Sequence, residues 1–187
     1  MNTAFDPVFL QGRKIVLTPL GRNDVTPEYL SWLNDPEVLR YRTPKVFPTT
    51  MAQLEAWIDG LPDRGDLLLA IRTSDERRHV GNLALNTILW VHRSAELSIM
   101  IGAKDVWGRS YGTEAIALLT AHAFASMGLH RVWSESPNPA FNETMRKLGW
   151  VKEGVKREAF QVDGKPVDLT CWSILETEWR EGNGRLA

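Results

Sequence analysis

A chain of 187 residues with 43% hydrophobic and 24% charged residues has the balance of one globular domain, large enough to bury about two-thirds of its unfolded surface. Its formal net charge of −1 gives no basic field for nucleic acid, and no apolar run approaches the ~20 residues that span a bilayer, so neither is an expected partner. Met1 to Leu10 lacks the basic start and apolar run of a secretion signal, and the single Cys171 has no disulfide partner within the chain, so the cytoplasm is the expected compartment.

In chain order, Arg13 to Pro19 sets Ile15 and Leu17 against Lys14, Val16 and Thr18 and reads as a first strand, stopped by Pro19 and Gly21. Asp24 or Thr26 can cap a helix with Pro27 in its first turn and Tyr29, Leu30 and Leu33 on its apolar side. Asp35-Pro36 breaks that helix and starts a further short helical turn through Tyr41. After the extended Thr43-Pro44 and Phe47-Pro48 segment, Thr49 or Thr50 caps a helix from Met51 to Leu61. Strands follow at Asp66 to Arg72 and Val80 to Val91, the second irregular near Asn86, and then at Ala95 to Ile101. A loop and helix occupy Asp105 to Met127, a strand Arg131 to Glu135, and a helix begins near Asn138. Strands at Val151 to Gln161 and Val167 to Leu175, joined by the turn signal Asp163-Gly164, close the chain. Strand–helix alternation in one half and hairpins in the other predict an α/β fold of α+β type, a mixed sheet of about seven strands with helices on both faces. The chain reads as a single domain over 1–187, with a core of roughly 13–179 and a polar, flexible tail at 181–187. Eight Trp residues suit core and subunit contact, which makes a homodimer one expectation.

The stretch that organises the rest is Trp107-Gly108-Arg109-Ser110-Tyr111-Gly112 feeding into a helix with Ala115, Ile116, Leu119, Ala123 and Met127 at helical spacing and Gly128 at its end. The first-turn N–H groups of a helix have no partner inside it, and the helix dipole adds partial positive charge there, so the junction suits a phosphate. Gly108 and Gly112 leave room for close approach, and Arg109 can meet the anion from solvent. A P-loop needs Gly-Lys before Ser or Thr, which is absent, and Gly102 to Gly112 lacks the G-x-G-x-x-G spacing of a dinucleotide fold.

Ile99-Met100-Ile101-Gly102 together with Trp107 to Ala115 resembles the acetyl-coenzyme A motif of the GNAT acyltransferase superfamily, in the branch of ribosomal-protein N-terminal and sugar N-acetyltransferases. The likeness continues through Leu129-His130-Arg131-Val132, Asn138 to Trp150, and upstream Tyr29 to Val38, covering roughly Arg13 to Trp179. It implies a strongly twisted mixed sheet in which two neighbouring parallel strands part to admit a pantetheine arm. It also implies an N-acetyltransferase that moves an acetyl group from acetyl-CoA to a primary amine, whether a protein N-terminus, an amino sugar or another small amine, by direct attack; no His, Cys or carboxylate spacing suggests a metal site. The backbone of Met100 and Ile101 would pair with the arm, Trp107, Gly108, Arg109, Ser110, Tyr111, Gly112 and Thr113 would grip the pyrophosphate, and Asn138 would touch the arm while capping its helix. Asn34, Arg40 and Tyr41 are the expected acceptor contacts.

An ammonium has no lone pair for attack, and Glu96 matches the branch's glutamate, so it is the candidate base. Two positions depart from the family pattern: Ser110 stands where glycine is usual, and Met145 where a proton-donating Tyr is common. These departures support an alternative, a cofactor-binding regulatory protein with little catalysis. His79, His92, His122 and His130 are weaker base candidates, and Cys171, flanked by Thr170 and Trp172 in a strand, reads as a small hydrophobe.

Overall fold

The computed structural model describes residues 7–42 and 47–183; the expected extended pair Thr43-Pro44 lies outside the described residues. Among the described residues one sheet of eight strands is formed, in the order β1-β2-β3-β4-β5-β6-β8-β7. The strands are β1 (Leu10–Gln11), β2 (Ile15–Pro19), β3 (Leu67–Thr73), β4 (His79–Leu89), β5 (Ser94–Ile101), β6 (Arg131–Ser136), β7 (Val151–Val162) and β8 (Lys165–Leu175). The eighth strand, relative to the seven expected, is the two-residue β1, whose Leu10 pairs with Leu17. A segment that short carries no period-2 signal. All neighbours are antiparallel except β5 and β6, which run parallel.

Parallel neighbours need a crossover, and α3 (Tyr111–Ala125) supplies it. It buries Ala115, Ile116, Leu119, Ala123 and Phe124. Gly112 lies against the Ile99 and Ile101 side chains, so α3 covers the odd-numbered face of β5. The opposite face is taken by α1 (Pro27–Trp32): a Cβ on Gly102 would stand 2.0 Å from the Trp32 ring. Strand side chains alternate, so Glu96, Ser98 and Met100 share the α1 side.

Local signals place the helices. Thr26 accepts from the Tyr29 N–H, and Pro27 fills the first position of α1. Thr50 and Gln53 form a reciprocal capping box for α2 (Met51–Asp59). The short helical turn expected through Tyr41 forms as a run of hydrogen-bonded turns, in which the Asp35 carboxylate accepts from the Glu37 N–H at 2.8 Å and the Leu39 N–H donates to the Asp35 carbonyl at 3.0 Å. Asn138 caps α4 (Pro139–Lys147), and Asp163 and Gly164 both take positive φ in the β7–β8 hairpin. The closing helix α5 (Glu176–Asn183) extends into the segment expected to be a flexible tail. Among the described residues no helix is long and apolar enough to cross a membrane.

Candidate active site

The site follows from where β5 and β6 separate. Their pairing runs through Ser94–Arg131, Ala95–Val132 and Glu96–Trp133 and stops there. β5 continues to Ile101, paired with β4 through Asn82–Met100 and Gly81–Ile101, so its other edge opens into a cleft of about 1470 Å³. Glu96 stands at the fork, and Ser98, Met100, Ile101, Tyr111 and Asn138 follow along the walls. Arg42 reaches into this edge and donates to the Ile99 carbonyl at 2.8 Å.

At the far end the phosphate loop meets α3. The N–H groups of Tyr111, Gly112 and Thr113 form the first turn and have no acceptor within the helix. Gly108 takes φ 78° and Ser110 takes φ 66°, so the loop coils with two left-handed residues. Ser110 therefore occupies a conformation that favours glycine, which accounts physically for glycine being usual there. Of the loop amides expected to face the phosphate, the Arg109 N–H is already engaged by the Val106 carbonyl, and the preceding Trp107 N–H donates to the Lys104 carbonyl. The Trp107 indole N–H donates to the Ile101 carbonyl at 2.9 Å and ties the loop to the end of β5. Lys14 donates to the Arg109 carbonyl at 3.3 Å and brings a cation to this end that the sequence reading did not single out. Arg78 bridges Asp105 at 2.7 Å and Glu28 at 2.9 Å, fixing the loop's entry to α1. Free first-turn amides, a glycine-opened loop and flanking cations fit a bound pyrophosphate.

Glu96 is partly buried, and its carboxyl sits above the ordinary range because of that burial first and the nearby Glu135 second, with Lys156 opposing. Both causes disfavour the charged form and raise basicity. Ser98 shares the face and accepts from the Asn86 amide at 2.8 Å, which leaves its own O–H free of that bond. Met145 is fully buried in the core and does not reach the cleft; Thr144 and Phe141 beside it do.

The acceptor residues expected from sequence divide. Arg40 and Tyr41 line the cleft, and Arg40 pairs with Asp163 of the β7–β8 turn at 2.5 Å. Asn34 lies outside the lining, with its amide engaged by the Leu30 carbonyl and by both backbone groups of Thr49. It fastens α1 to the start of α2.

Among the described residues no histidine lines the cleft. His79 is held below its usual range by burial between Tyr29 and Trp32, 3.5 Å from Asp24. Burial also lowers His122, whose ring meets Phe9 edge-on. The Cys171 thiol is pushed up by burial and by Glu135, 3.7 Å away, which makes it a poor nucleophile. Among the described residues no group of His, Cys, Asp or Glu could hold a metal ion.

Comparison with known proteins agrees with this geometry. The family model "Acetyltransferase (GNAT) domain" matches residues 14–151. A Bacillus subtilis protein, YdaF, assigned as a ribosomal N-acetyltransferase, is 31% identical over 101 residues, 53% of this chain and 55% of its own length. A crystal structure from T. thermophilus, assigned as an acetyltransferase, is 31% identical with a TM-score of 0.77, covering 98% of this chain and 96% of that one. Spermidine N-acetyltransferase from Vibrio cholerae, solved with CoA and spermine, shares the fold at 22% identity and a TM-score of 0.81, over 89% of this chain and 98% of its own. With a family model spanning most of its length and a forked sheet beside an anion-ready helix mouth, the chain belongs to the GNAT acetyltransferase family.

Proposed function

We propose that the chain acts as a single cytoplasmic domain that transfers an acetyl group from acetyl-CoA to a primary amine by direct attack. The observation that carries this reading is the fork itself, where a half-buried carboxylate stands at the point from which β5 leads, with one edge open, to the free amides of α3. Those amides and the Arg109 and Lys14 cations suit the pyrophosphate, each charge-assisted hydrogen bond contributing about 1.5–3 kcal/mol. The edge of β5 at Met100 and Ile101 aligns the arm by backbone pairing, and Asn138 at the start of α4 flanks it. Glu96, with its raised proton affinity, accepts a proton from the acceptor ammonium directly or through water. Arg40 and Tyr41 bound the acceptor side.

The experiment is release of free thiol from acetyl-CoA against a panel of aliphatic amines and N-terminal peptides, with calorimetric cofactor binding alongside. Glu96→Gln should lower turnover by at least about tenfold and leave acetyl-CoA affinity unchanged. Unchanged turnover across pH removes Glu96 from the role. A second reading, a cofactor-binding regulator, is favoured by one observation: Met145, at the position of the family's usual acid, is buried and carries no proton to give. Tight acetyl-CoA binding with no turnover on any amine supports that reading.

A further inference from the structure

A second carboxylate reaches the acceptor side of the fork through strand register. Paired residues on neighbouring strands face the same side of a sheet, so the Glu96–Trp133 pair puts Glu135, two residues further along β6, on the face of Glu96 and Ser98. Glu135 lies beyond the last β5–β6 pair, on the wall opposite Ser98, and it lines the cleft. Its carboxylate is partly buried and accepts from the Lys156 ammonium, which comes from the bulged stretch of β7 between Lys156 and Phe160. Lys156 is largely exposed and stands at the rim rather than in the lining. The chain thus already seats a primary alkylammonium on this carboxylate. Glu135 also raises the proton affinity of Glu96, and it stabilises the charged form of Lys156. Around the Glu96 carboxyl the nearby charges are the Glu135 carboxylate and the Lys156 ammonium that pairs with it, so this corner of the cleft favours an incoming cation over an anion.

We propose that Glu135 is a specificity-determining residue that holds the acceptor's ammonium at the fork, Lys156 being the displaceable cation that occupies it beforehand. The substrate class is an aliphatic amine, charged at neutral pH, with no acidic group close to the nitrogen. The inference rests on the amine-acceptor reading above, but its test does not depend on turnover.

The probe is n-butylamine, with β-alanine as the same ammonium carrying a nearby carboxylate. Each is titrated into the coenzyme A-saturated chain while the backbone amide resonances of β6 and β8 are followed, and acetyl-CoA affinity is measured separately by calorimetry. Butylamine should shift these resonances and β-alanine should not. Glu135→Gln should weaken butylamine binding by about tenfold or more, and Lys156→Met should strengthen it several-fold, both with acetyl-CoA affinity unchanged. Opposite effects separate recognition from mere structural support, since breaking one ion pair from either side would otherwise act alike. Equal binding by wild type and Glu135→Gln, loss of binding in Lys156→Met, or no butylamine shift in wild type would each overturn the assignment. Butylamine binding through Glu135 in a chain that releases no thiol from acetyl-CoA with any amine would support it and sink only the transfer reading.

Discussion

Ser110 sits at the N-cap of α3 with φ 66° and ψ 15°, a left-handed conformation that costs an L-residue roughly 1–2 kcal/mol. Its side chain makes no cap hydrogen bond, so nothing local offsets that cost. Ser110→Gly should therefore raise stability by about 0.5–1 kcal/mol after allowing for glycine's larger unfolded-state entropy, read as a higher denaturation midpoint. A loss of stability would mean that the hydroxyl carries a contact of its own. Glu96 leads to a pH effect. Its folded proton affinity is raised by burial and by Glu135, so over the interval between the unfolded and folded values the native state holds a proton that the unfolded state has released. Stability is present below the ordinary carboxylate value and is lost as pH rises from there through the raised folded value. Glu96→Gln should remove that fall, leaving the variant more stable than wild type at neutral pH in urea titrations. A wild type whose stability does not decline over that interval would contradict the sign. At this scale the sequence was informative about type but not about setting: Glu96 and the Ser110 departure could be picked out, yet the burial of Met145 and the nearness of Glu135 depend on packing between distant segments.

Among the elements, α1 is seated on β5 through Trp32 and Gly102. A methyl group at Gly102 would meet the indole at 2.0 Å, too close for any rotamer shift of a buried ring to absorb without moving the helix. Gly102→Ala should cost about 1–3 kcal/mol and weaken acetyl-CoA binding, since the same contact sets the end of the open β5 edge. A variant with wild-type stability would show that α1 does not set that edge. Elements with local chemistry were legible: Thr26 and Thr50 caps, the Asp163-Gly164 hairpin, and the apolar spacing of α3. Those without it were not. β1 is two residues long, and α5 is too polar for periodicity to reveal.

For the molecule as a whole, one parallel pair in an otherwise antiparallel sheet determines where the cleft can form. Antiparallel neighbours zip along their length, whereas β5 and β6 enter from the same end around α3 and part after three residue pairs. The fork and the placing of the helix mouth beside it follow from that single arrangement. It was anticipated through a resemblance spread over several motifs, while the carboxylate on β6 required the register itself. We propose that this fork holds acetyl-CoA, with the pyrophosphate at Tyr111 to Thr113 and the arm along Met100 and Ile101. Isothermal titration calorimetry of the full chain with acetyl-CoA should show saturable binding of one molecule per chain, weakened by salt as a phosphate-anchored ligand requires. Absence of any binding heat up to millimolar acetyl-CoA would contradict it.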